Sequence, residues 1–151
     1  MSSIIKAEHL KCKRTFTKYL PVIAPIITLL LVLALTGGLE NAFPAGAWNW
    51  WYATLLPGAL AVICYLSIGK DRKNHYYNLK SLPVSGQKLI FGKMIYIASG
   101  LLAANVIIFL GTTIGGAVFG TTISIEGAAA ATILLTVSYL WEIPVYLFLS
   151  A

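Results

Sequence analysis

The chain has 151 residues, of which 58% are hydrophobic and only 11% charged, and it carries a formal net charge of +6. A soluble domain devotes about 25% of its residues to charge, so so little charge, with a mean hydropathy of +0.81, excludes a water-facing globule and points to an integral membrane protein. The positive balance does not indicate nucleic acid, because every Lys and Arg lies in two short blocks that flank apolar runs, the pattern of anchors beside anionic lipid.

The first block, "MSSIIKAEHLKCKRTFTKYL", is not a signal peptide: its charged region is too long and the apolar run behind it is long enough to span. Ile5, Cys12, Phe16 and Tyr19 share one helical face, with Lys6, Lys13, Arg14 and Lys18 mostly opposite. This predicts an amphipathic helix lying on the inner membrane surface, although His9 falls on its apolar side. Four apolar runs follow, at about 19–37, 48–69, 94–120 and 127–151. Each approaches or exceeds the roughly 20 residues that cross a hydrocarbon core of about 30 Å. Backbone in lipid must satisfy its own hydrogen bonds, so these are helices, and they lack the alternation of barrel strands. Pro21, Pro25, the Pro57–Gly58 pair and Pro144 mark expected kinks.

The segments 38–47 and 121–126 contain no Lys or Arg and carry Glu40 and Glu126 instead. The basic blocks therefore predict a cytoplasmic N-terminus and a cytoplasmic 70–93 segment in the plasma membrane. Trp48, Trp50, Trp51 and Tyr52 are then expected as an aromatic belt at the outer interface. Nothing basic follows Lys93, and the chain stops in "YLFLSA" without a polar flank. The expectation is a single transmembrane domain over 1–151 that forms the N-terminal part of a longer membrane protein.

No catalytic, cofactor-binding or metal-binding residue is expected. "GQKLIFGKM" has five residues between Gly86 and Gly92 instead of the four of a phosphate-binding loop, and Met94 stands where Ser or Thr would hold Mg²⁺. HExxH and GxSxG are absent, His9 and His75 are far apart, and Cys12 and Cys64 suggest neither a metal site nor a disulfide. Two features inside the spans carry alternatives. Glu142, in "YLWEIPVYLF", is a carboxylate deep in a span: it lines a substrate path or polar helix contact, or it is a protonated side chain hydrogen-bonded to a neighbouring helix or set near an interface. Gly111, Gly115, Gly116 and Gly120 give two consecutive GxxxG spacings, read as packing within the chain or as a dimer seam.

The polar segment "DRKNHYYNLKSLPVSGQKLIFGKM" interrupts the apolar sequence. Pro83 ends any helix at or before Leu82, and Ser85 can cap a new helix rising into the third span. Before Pro83, Tyr76, Tyr77, Leu79 and Leu82 give a short surface helix more bulk than a solvated connector needs, which suits a surface pressed against a protein partner.

"AEHLKCKRT" before the first span, "LPVSGQKLIFGK" entering the third and "LWEIPVYLFLS" in the fourth resemble, in order and over nearly the whole chain, the permease subunit of lantibiotic-immunity ABC transporters, the MutE/EpiE type, and more broadly ABC-2 type exporter permeases. The resemblance implies an all-α permease of which these would be the first four of six spans. It also implies a separate ATPase subunit, a second permease subunit or homodimer, membrane lipid around the bundle, and export of a lantibiotic-like peptide in self-immunity. No cofactor of its own is implied. By position, the coupling helix that enters a groove on the ATPase would fall on Arg72, Tyr76, Tyr77, Leu79, Leu82 and Pro83. The competing reading is a non-transporting membrane anchor or regulatory subunit that recruits a cytoplasmic partner.

Overall fold

The computed structural model describes residues 10, 16–37, 42–73, 86–120 and 124–150, apart from the side chains of Lys70, Arg72 and Lys73. Helix α1 spans Phe16–Thr36 and α2 spans Ala42–Trp50. A π-helical turn, Trp51–Leu55, leads into α3, Leu56–Lys73; α4 spans Gly86–Val118 and α5 Ile125–Ser150. No strand occurs among the described residues, and four helical stretches are long and apolar enough to cross a membrane. The protein is thus an all-α, multi-pass membrane protein.

The boundaries correct the apolar runs at several points. The first spanning helix begins at Phe16, so Phe16–Tyr19 belong to the span and not to a separate surface helix; Thr17 is already buried. The rest of the predicted surface helix, other than Leu10, lies outside the described residues. The second stretch starts at Ala42 instead of 48. "AFPAGA" reads as a loop because it contains Pro44 and Gly46, but Pro44 sits in the first turn of α2, where a missing N–H costs nothing. The third starts at Gly86, because the helix runs through Lys88 and Lys93 before it reaches the apolar run. Gly37 (φ 59°) and Gly120 (φ 77°) end α1 and α4 in the left-handed conformation that only glycine enters cheaply. Ser124 caps α5, its Oγ accepting from the Gly127 N–H at 3.2 Å.

The expected break at Pro57–Gly58 takes the form of the π-helical turn. Pro57 lacks an N–H, and in a regular helix its ring would strike the carbonyl four residues earlier. Widening the turn before it removes the clash: the Leu56 N–H bonds the Trp51 carbonyl, one residue further back than in an α-helix. The next donor in that pattern would be Pro57, which has no N–H to offer the Tyr52 carbonyl. The Tyr139 hydroxyl donates to it at 2.6 Å.

Helix α4 is the spine. Ile97, Leu101, Ala104, Ile108, Thr112 and Gly116 are buried along it at helical spacing. It runs parallel to α1, with Gly100 against Pro21 and Gly111 against Leu29. It runs antiparallel to the α2–α3 stretch, with Gly115 against Phe43, Asn105 bonded to Trp51 and Lys93 paired with Asp71. Lipid offers helices no hydrophobic drive to associate, so these contacts hold by close packing and by polar bonds. Gly111 and Gly115 serve the packing within the chain: a Cβ on Gly111 would meet a methyl of Leu29, and one on Gly115 would meet the ring of Phe43. Phe43 in turn packs edge-on against Phe119, ring centroids 5.4 Å apart. Gly116 is buried on α4, and Gly120 ends the helix.

Candidate functional site

The polar groups inside the bundle form three levels. At the first, three spans meet on Asn105, which is fully buried. Its Oδ1 accepts from the Trp51 indole N–H at 2.9 Å, and its amide donates to Thr136 Oγ1 at 2.9 Å. Thr136 passes its own proton to the Thr132 carbonyl at 2.7 Å. Trp51, Asn105 and Thr136 thus each donate a hydrogen bond within this network, as buried polar side chains require. The geometry corrects the aromatic-belt expectation for one member: Trp51 is fully buried in the core, while Trp50 and Tyr52 remain exposed. Trp51 continues the buried face of Phe43 and Ala47 at helical spacing, and the π-helical turn that begins at it brings Leu56, five residues on, to the same buried side.

The second level lies on α5, where Glu142 is half-buried. Tyr146 lies within side-chain hydrogen-bonding reach of it and Tyr139 stands nearby; Tyr139 in turn bonds the Tyr52 carbonyl. Tyr139 and Tyr146 are one turn before and one turn after Glu142, on the same face of α5.

The third level lies about 18 Å from Asn105 along α4. Lys93 Nζ pairs with Asp71 Oδ2 at 2.5 Å and donates to the Ser67 carbonyl at 3.1 Å. Both charged residues are more than 90% buried. Lys93 reads in sequence as one anchor among several at a membrane surface; here it is a structural ion of the bundle. The pair ties the last turn of α3 to the early turns of α4, the two helices that flank residues 74–85. Of the residues assigned by position to the coupling helix, Arg72 lies on the helical backbone at the end of α3. Tyr76, Tyr77, Leu79, Leu82 and Pro83 lie outside the described residues, as does Ser85. Cys64 is a free, buried thiol in α3, and no cluster of potential metal ligands occurs among the described residues.

Asn105, Thr136 and Asp71 were not singled out by sequence reading. Asn105 had a usable signal, since an amide in the middle of an apolar run must find partners in the bundle. Asp71 had only a weak one, a lone acid within "GKDRK".

Four apolar helices with paired polar groups sealed between them define a multi-pass integral membrane protein. The chain belongs to the ABC-2 transporter family: the model described as "ABC-2 family transporter protein" matches residues 4–150. It is accordingly a permease subunit of an ABC transporter, and family membership implies an ABC ATPase as its partner. No curated protein and no solved structure matches the chain.

Proposed function

We propose that this permease expels a lantibiotic-like antimicrobial peptide from the membrane of the cell that makes it, in concert with its ATPase and a second permease subunit. It performs no covalent chemistry itself. The resemblance quoted above supports the substrate class and a six-span whole, of which these are the first four spans. The observation that carries the coupling is the buried Lys93–Asp71 pair: it fastens together the two helices that flank residues 74–85. A push on that connector by an ATPase therefore reaches the bundle as a movement of two joined helices. Tyr76, Tyr77, Leu79 and Leu82 are the docking side chains in this reading, with Pro83 ending their helix.

Two experiments test it. Replacing Tyr76, Tyr77 and Leu79 together by Ala, in a permease carrying all its spans, leaves membrane insertion intact but releases the ATPase on purification. It also abolishes protection of cells against the peptide, because aromatic anchors in a docking groove commonly cost more than about 2 kcal/mol when truncated. A variant that retains its ATPase and still protects sinks the coupling assignment. The second experiment concerns orientation, which the basic blocks place with the N-terminus in the cytoplasm of a plasma-membrane protein. In a background of Cys12→Ser and Cys64→Ala, a cysteine at Asn41 reacts with an impermeant thiol reagent in intact cells and one at Asn74 does not. The reverse pattern inverts the topology and removes the connector from the reach of any ATPase.

A further inference from the structure

Glu142 is a carboxylate within a membrane-spanning helix, half-buried, at a level where unpaired charge is costly. Among the described residues no basic side chain forms an ion pair with it: the cation buried in the bundle, Lys93, is held by Asp71. Its polar neighbours Tyr139 and Tyr146 belong to its own helix, so Glu142 does not serve to bind α5 to another helix through them. On the neighbouring span, Tyr52 of the π-helical turn is 45% exposed, and its carbonyl already takes the Tyr139 proton. What remains is a carboxylate with tyrosines one turn to either side, at a partly exposed face of the described bundle. Those are the two elements that hold an ammonium or guanidinium group, one by charge and the other by the negative faces of the rings.

We propose that Glu142, with Tyr139, Tyr146 and Tyr52, is a binding site for the cationic group of an amphiphile that arrives from the bilayer. The assignment of that amphiphile as the transported peptide rests on the function proposed above; the binding site does not. Trp141 adjoins the site and is 81% exposed, which makes it a reporter. The chain is placed in zwitterionic phosphatidylcholine nanodiscs, and its tryptophan fluorescence is titrated with nitroxide-labelled dodecylammonium or with a neutral dodecyl alcohol bearing the same label. The two are compared at equal membrane mole fraction, and the Trp141 signal is taken as the difference from Trp141→Phe.

The cationic probe quenches Trp141 at about tenfold lower mole fraction than the neutral one, the scale expected of a desolvated cation between a carboxylate and aromatic rings. Glu142→Gln, which keeps the shape and removes the charge, brings the two curves together. Coincident curves in the unaltered chain overturn the proposal, as does a preference that survives Glu142→Gln. If Glu142→Gln does not insert, the unaltered chain still decides. The assay contains neither ATPase nor antimicrobial peptide, so its failure leaves the export reading standing. Conversely, retention of ATPase by the Tyr76/Tyr77/Leu79 variant leaves this site standing.

Discussion

Replacing Asp71 or Lys93 singly by Ala destabilises the bundle by about 3–5 kcal/mol, the cost of stranding one member of a buried ion pair. Each single change leaves a charge with less than a tenth of its residue surface exposed. The loss is read as a lower midpoint in an SDS titration of the purified chain in mixed micelles. Replacing the pair together, Asp71→Leu with Lys93→Met, recovers most of it, because a well-packed apolar pair can be as stable as a buried ionic one. That double variant separates two roles. It restores the fold, yet it exchanges a directional bond between α3 and α4 for packing that can slide, so ATPase-driven protection remains impaired while the midpoint returns. Single variants that unfold at the midpoint of the unaltered chain would show that the pair does not hold the two helices together.

Asn105→Leu costs about 1–3 kcal/mol by the same titration, because it leaves the fully buried Trp51 indole N–H without an acceptor. The magnitude stays modest because single hydrogen bonds between helices in membranes are themselves modest. The diagnostic result is the second step. Adding Trp51→Phe to Asn105→Leu removes the stranded donor and recovers part of the stability, so the two changes are not additive. Strict additivity would mean that the indole and the amide do not depend on one another.

The spans were legible because lipid imposes a simple rule on sequence: about 20 apolar residues in a row and little charge. The number and helical nature of the spans follow from that rule alone. The same rule misplaces the ends. Hydropathy measures where lipid stops, whereas α4 begins at Gly86 and passes through two lysines before entering the apolar run. The interior polar contacts were less legible because each depends on registry between spans far apart in sequence. Asp71 and Lys93 are 22 residues apart, and Trp51 and Asn105 are 54 apart. Only the hairpin geometry brings either pair together. Trp51 shows the further point that residue type alone does not assign a face: it continues the buried side of Phe43 and Ala47 at helical spacing, while Trp50 and Tyr52 beside it are exposed.

Proline punctuates every crossing but one. Pro21 and Pro25 lie inside α1, Pro57 follows the π-helical turn, and Pro144 lies inside α5, while α4 runs without one from Gly86 to Val118. At 33 residues α4 is about 50 Å long, well beyond the roughly 30 Å of hydrocarbon it crosses. An unbroken rod that starts beside the connector and ends at the opposite rim is a lever whose arm is its own length. Tilting it by about 5° at the connector end would swing the other end through about 4 Å, enough to open or close a gap between neighbouring side chains. Leu29 and Phe43, seated on the bare backbone at Gly111 and Gly115, lie towards the far end of that arm, where the swing is largest.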